Sequence, residues 1–98
     1  MLSFSSEVYV YFPGGFGTLD EFFEIVTLVQ TKKIVPIPIL LYGSEFWSPL
    51  LRWLEKDLVK KYKTISKEDM DIFHVVDSVD DAYDYILKKV DFKNIRQV

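Results

Sequence analysis

Pro13-Gly14-Gly15-Phe16-Gly17-Thr18-Leu19-Asp20-Glu21 is the stretch of this 98-residue chain whose residue types and spacing could do chemistry. Its three glycines can take backbone conformations closed to other residues and let a ligand approach the main chain closely. Where a strand hands over to a helix, their N–H groups face whatever lies in front of the helix. The positive end of the helix dipole favours an anion there, most often phosphate. The spacing matches neither a Walker A loop nor the G-x-G-x-x-G dinucleotide fingerprint, and no Lys follows the glycines. A glycine turn that merely lets the helix pack tightly on a sheet explains the same residues. Glu21 also carries two readings. Thr18-x-x-Glu21 has the spacing of a capping box, in which the Thr hydroxyl and Glu carboxylate each accept a backbone N–H, an arrangement worth about 1 kcal/mol. Alternatively, Glu21 is a carboxylate at the lip of a phosphate site, able to orient water or stabilise positive charge developing on a sugar. Spacing alone favours the cap. Asp20 and Glu24, four residues apart, read as a solvated face.

The elements that must position this turn are legible in the apolar periodicity. Val8–Phe12 reads as a strand that stops at the glycines. Thr18–Lys33 reads as a helix with Leu19, Phe22, Phe23, Val26 and Val29 as its apolar stripe. Pro36–Tyr42 is a second strand, its prolines confined to the start or to an edge. Phe46–Tyr62 gives a second helix, with Trp47, Leu50, Leu51, Leu54 and Leu58 opposite Glu55, Lys56, Lys60 and Lys61. A polar connection over Thr64–Asp69 holds at most a short helical turn. Ile72–Val76 is a third strand, and Asp77–Asp81 opens a last helix with Ala82, Tyr83, Ile86 and Leu87 on one side. The tail beyond Phe92 is expected to fray.

This β-α-β-α-β-α order predicts a three-layer Rossmann-like α/β fold, here a half-domain of parallel strands joined by right-handed crossovers. The glycine turn then falls at the carboxyl end of a strand, where open α/β sheets bind ligands. Strands in sequence order would put every helix on one face. Yet Val8–Phe12 and Ile39–Tyr42 are apolar on both alternating sets, the mark of strands covered on both sides. Something else is therefore expected to cover the second face: a missing half, a second copy or another subunit. A domain of this size buries only about 60–70% of its unfolded surface. Residues 1–98 are thus expected to form one partial domain or an obligate oligomer.

Composition narrows the function classes. Twelve Lys and Arg against 15 Asp and Glu give a net charge of −3, with no basic footprint for nucleic acid. The absence of Cys removes disulfides, thiolate chemistry and zinc–sulfur sites, and a single His makes a His-built metal centre implausible. The longest apolar run, Ile34–Tyr42, is nine residues with two prolines, against roughly 20 for a membrane helix. The N-terminus has no basic segment leading into an apolar one, so no secretory signal is read and a cytoplasmic setting is the default.

The motif Pro13-Gly-Gly-Phe-Gly-Thr-Leu-Asp-Glu21 resembles the P-G-G-x-G-T-x-x-E motif of the LOG ("lonely guy") family, often labelled lysine decarboxylase-like. These Rossmann-like phosphoribohydrolases cleave the N-glycosidic bond of cytokinin riboside 5′-monophosphates. Ser6–Phe12 is similar to the strand preceding the family's motif, Phe22–Gln30 to the helix after it, and Tyr42–Leu51 to its G-x-(F/Y)-(W/Y)-x-P-L-L element. The likeness runs from about residue 5 to 90 and covers the C-terminal half of the family's domain. It implies that Gly14, Gly15, Phe16, Gly17 and Thr18 cradle the 5′-phosphate of a nucleoside monophosphate. It further implies that Glu21 is the acidic residue acting at the ribose, and that the family's helices pack as a dimer around this site. No cofactor is implied, and the decarboxylase label finds no Schiff-base lysine near the glycines.

One departure stands out. The family carries an Arg-Lys pair upstream of this strand, whose Arg is the partner of the motif Glu, and by alignment it would fall just before Met1. A phosphate beside a carboxylate needs a cation, while Lys32 and Lys33 lie about 20 Å away along the helix. The expectation is that Met1 is an internal methionine of a longer ancestral frame: a split gene, a misassigned start or a truncated remnant. Three functions therefore compete: a nucleoside 5′-monophosphate hydrolase or its half, a nucleotide- or phosphate-binding module without catalysis, and a fragment that folds by oligomerising. His74 reads as a core or edge histidine, Trp47 as interior, Trp53 as a subunit contact, and Lys56, Lys60, Lys61 and Lys63 as a solvated face.

Overall fold

The structure is a computed structural model that describes residues 2–3 and 8–89; the tail beyond Phe92 lies outside them. Strands β1 (Leu2–Ser3), β2 (Tyr9–Tyr11), β3 (Ile39–Tyr42) and β4 (Phe73–Val76) form one sheet in that order. The last three are parallel, with Tyr9 opposite Ile39 and Ile39 opposite Phe73. β1 runs antiparallel along the outer side of β2. It has only two residues, too few for an alternating pattern to announce it. β3 begins after both prolines, which lack the N–H that a ladder needs.

Helix α1 (Phe16–Gln30) follows β2, and α2 (Ser44–Trp53) follows β3. The chain continues from α2 without a break as a wider π-helical stretch, Leu54–Lys61, in which the Tyr62 N–H donates to the Asp57 carbonyl at 2.7 Å. A short 3₁₀ turn, Glu68–Asp71, leads into β4, and α3 (Val79–Lys89) closes the described chain. The β-α-β-α-β-α order is thus as expected, with each of the first two helices beginning two residues earlier.

The side chains sort by the twofold alternation of the strands. Tyr11, Ile39, Leu41 and Phe73 point to the face that packs against Phe22, Ile25 and Val29 of α1 and Trp47 of α2. Val8, Leu40 and Val76 point to the opposite face, where Ala82, Tyr85 and Ile86 of α3 cover them. The expectation that every helix shares one face is therefore wrong for α3. The one-face rule binds only a helix that crosses to a following parallel strand, and no strand follows α3 among the described residues. The result is three layers within one chain, α1 and α2, sheet, then α3. It also explains why β3 is apolar on both sides: Ile39, Leu40 and Leu41 are all fully buried. Covering remains partial, for Phe12, Val79 and Tyr83 stay largely exposed.

Candidate functional site

β2 ends at Tyr11, and α1 begins at Phe16, so Phe12 to Gly15 make the whole connection. Gly15 is the N-cap residue, and no side chain caps it. The first intrahelical bond runs from the Leu19 N–H to the Gly15 carbonyl at 3.2 Å. The N–H groups of Gly15, Phe16, Gly17 and Thr18 consequently have no helical partner. Pro13 through Gly17 are all exposed, and Thr18 is partly so.

The capping box read from Thr18 and Glu21 does not form. Because the helix starts at Phe16, Thr18 falls inside the first turn, too late to cap it. Its hydroxyl lies against Gly14 instead: a Cβ added to Gly14 would collide with Thr18 Oγ1 and stand 3.1 Å from Thr18 Cβ. Packing alone therefore requires Gly14. Gly15 and Gly17 differ, with nothing within 4 Å of where a Cβ would sit. None of the three uses the positive φ anticipated for the turn; that conformation belongs to Gly43, at φ 102°. Gly17 stands in a helix, where it costs up to about 1 kcal/mol relative to Ala. Nothing among the described residues accounts for its lack of a side chain. What it leaves is a bare approach to the free amides, with Phe16, 91% exposed, beside it.

Glu21 sits one turn further along α1 and is exposed. Its backbone is anchored to the sheet, because the buried Tyr11 hydroxyl donates to the Glu21 carbonyl at 3.3 Å. Burial pushes the Tyr11 phenol up to about 12, and the negative charges of Glu21 and Glu24 add to the effect. The phenol is therefore a proton donor throughout the physiological range.

Three loops meet at this end of the sheet. The Gly43 N–H donates to the Val76 carbonyl at 2.8 Å, and the Ser44 N–H to Asp77 Oδ1 at 2.7 Å. A Cβ on Gly43 would stand 3.4 Å from Pro13 Cγ. Gly43 has no side chain to cap α2, so Asp77 supplies the acceptor from the next loop, and that bond holds its carboxyl below the usual range. Ser78 caps α3, accepting from the Asp81 N–H at 3.0 Å. Sequence reasoning placed Asp77 at the opening of the last helix and missed its bond to α2, although an Asp directly after a strand, with a glycine opening the neighbouring helix, was the available signal.

The charges here share one sign. Residues 1–31 contain no Lys, Arg or His, while Asp20, Glu21 and Glu24 lie on α1. Glu45, Asp77, Asp80 and Asp81 carry negative charge in the other two loops and first turns. Three clefts, of about 290, 200 and 430 Å³, lie between α1 and the Pro36–Pro38 segment, between α1 and the π-helical stretch, and beside β4. The glycine turn lines none of these three, and its residues Pro13 to Gly17 are exposed. His74 is an exposed edge residue, its ring stacked on Tyr85 at 4.2 Å. Trp47 is fully buried, its indole N–H without a partner, and Trp53 is half exposed. Among the described residues no group of three or more His, Cys, Asp or Glu is arranged to hold a metal ion. No helix there is long and apolar enough to cross a membrane.

Two similarities bear on this site. The model of a family described as "Possible lysine decarboxylase" matches residues 1–86. A cytokinin riboside 5′-monophosphate phosphoribohydrolase from Rhodococcoides fascians is 33% identical over 58 residues, 59% of this chain and 29% of that protein. The matched region thus spans less than a third of that relative's length.

Proposed function

The chain belongs to the possible lysine decarboxylase, or LOG, family, and from that membership we propose that it is a phosphoribohydrolase-like protein binding a nucleoside 5′-monophosphate. The 5′-phosphate docks on the amides of Gly14, Gly15, Phe16, Gly17 and Thr18, where the N-terminal dipole of α1 attracts an anion. The carboxylate of Glu21, one turn along the same helix, stands beside the ribose. As the N-glycosidic bond breaks, the base leaves with the bonding electrons and positive charge grows on the ribosyl carbon and ring oxygen. A carboxylate there stabilises that charge and orients the water whose oxygen adds to the carbon while its proton passes to the departing base, giving free base and ribose 5-phosphate.

The observation that carries this reading is the pair of exposed glycines, Gly15 and Gly17, that no contact among the described residues requires, at the start of α1 where the amides have no helical partner. A second reading, binding without turnover, is favoured by the absence of any Lys, Arg or His from residues 1–31. A phosphate dianion beside Asp20, Glu21 and Glu24 needs positive charge from elsewhere. The cation then comes from outside residues 1–31, from later residues of this chain, a second copy of it or the rest of the family's domain.

Incubating the chain with adenosine or isopentenyladenosine 5′-monophosphate and following free base by chromatography separates the two readings. Release of base that is lost in Glu21→Gln supports hydrolysis. Saturable binding without release, unaffected by Glu21→Gln, supports the binding module.

A further inference from the structure

A cavity of about 200 Å³ lies between α1 and the π-helical stretch, at the end of the sheet opposite the glycine turn, where α1 finishes and β4 starts. Its wall is aromatic and apolar: Phe22 and Phe23 of α1, Leu58 of the π-helical stretch, Met70 of the 3₁₀ turn and Phe73 of β4. The Phe22 ring stands 5.0 Å from that of Phe23 and 5.3 Å from that of Phe73. Two backbone features shape this wall. A π-helical turn is wider than an α-turn, is rare, and is found most often at functional sites. Beyond it Lys63, at φ 56°, reverses the chain, and the Thr64 and Ile65 N–H groups both donate to the Leu58 carbonyl, at 2.8 and 3.3 Å. That reversal brings Ile65 back onto the cavity.

One acid meets the apolar wall. Asp69 Oδ2 accepts from Gln30 Nε2 at 2.8 Å and from the Ser66 N–H at 2.9 Å. Burial pushes its carboxyl up, but the bonds from Ser66 and Gln30 outweigh that and hold it below 3.8. The group is therefore charged at neutral pH. Among the described residues both of these bonds fall on Oδ2, which leaves the lone pairs of Oδ1 for another donor. No Lys or Arg among the described residues lines the cavity to neutralise the charge. The Thr27 hydroxyl is turned to its own helix, donating to the Phe23 carbonyl at 2.7 Å. In size, a dry cavity of about 150 Å³ lined by Leu, Ile and Phe takes up benzene, so this one has room for an aromatic ring with a short arm.

We propose that this cavity binds a primary arylalkylamine, its ring among Phe22, Phe23 and Phe73 and its ammonium on Asp69 Oδ1. An aromatic ring packs edge-on or offset against the phenyl rings. The ammonium gives Oδ1 a charge-assisted hydrogen bond, stronger than a neutral donor can make. A neutral aromatic would fill the same space and leave the carboxylate without its counter-charge. The cavity meets α1 from Phe22 to Gln30, whereas the glycine turn precedes that helix. Its occupancy accordingly does not depend on what the turn binds.

The test compares 2-phenylethylamine with 2-phenylethanol, alike in shape and different in charge, each titrated into the isotope-labelled full chain and followed by NMR. With the amine, the methyl resonances of Val26, Leu58 and Met70 should shift together and saturate, while the amides of Gly14, Gly15 and Gly17 stay in place. The alcohol should bind at the same methyl groups about tenfold more weakly. Asp69→Asn should weaken the amine to the level of the alcohol and leave the alcohol's affinity unchanged, which also reports that the cavity is intact. Val26→Phe places a ring in the cavity and should abolish binding of both. Where a variant does not fold, the wild-type comparison of amine with alcohol decides alone. Methyl resonances indifferent to the amine overturn the proposal, as do equal affinities of the two compounds for the wild type.

Discussion

The buried Tyr11 hydroxyl donates to the backbone carbonyl of Glu21 at 3.3 Å, tying the end of the first parallel strand to the second turn of the helix that carries the candidate acid. The link matters because α1 has no side-chain cap to fix its start.

Tyr11→Phe should keep the edge-on ring contact with Phe22 and lose about 1 kcal/mol of stability. Burial raises the phenol above its unfolded value of 10.0 to about 12. The folded state therefore holds a proton that the unfolded state releases from pH 10 upward. The phenol's contribution is complete below pH 10 and is lost as pH climbs toward 12. Urea unfolding at about pH 9 and about pH 11 should show a steeper alkaline loss in wild type than in Tyr11→Phe.

The two kinds of glycine should respond oppositely to alanine. Gly14→Ala drives a methyl into Thr18 Oγ1 and should destabilise the fold by about 1–3 kcal/mol. Gly17→Ala meets open space within a helix and should stabilise it, by up to about 1 kcal/mol. The same Gly17 variant should weaken nucleoside monophosphate binding, because the methyl stands at the approach to the amides. Thermal melts paired with calorimetric titration read both effects.

Asp77 accepts from the Ser44 N–H, and its folded carboxyl lies below the ordinary value of 3.8. A depressed carboxyl contributes stability that is present above its unfolded value and lost as pH falls through the folded one. Asp77→Asn should therefore lower the melting temperature near neutral pH and make little difference once the pH is well below 3.8. Melting curves from about pH 2 to about pH 7 measure the convergence.

Ser78→Ala removes the hydroxyl that accepts from the Asp81 N–H and should cost about 1 kcal/mol. The loss should appear as faster amide exchange in the first turn of α3, with α1 unaffected.

Much of this arrangement was legible in the residues. The strand at Val8–Phe12, the glycine turn and the stripe from Leu19 to Val29 each announce themselves through short-range periodicity, and together they place the motif at a strand's carboxyl end. What escaped was non-local. Thr18 and Glu21 have capping-box spacing, yet the helix begins at Phe16, because Gly15 can serve as N-cap without a side chain. Asp77 caps a helix 33 residues earlier in the chain. No local pattern records that bond. The side chosen by α3 likewise rests on contacts across the sheet with Val8, Leu40 and Val76, at which the apolar alternation of β3 only hinted.

The proposed chemistry requires an anion seated against the uncovered amides at the head of α1. Titrating the ¹⁵N-labelled chain with adenosine 5′-monophosphate, and following the amide resonances of Gly14, Gly15, Phe16, Gly17 and Thr18, tests that directly. Those five signals should move together and saturate, with Lys56, Lys60 and Lys61 unmoved; a ligand that shifts the lysine signals and leaves the glycine turn untouched contradicts it.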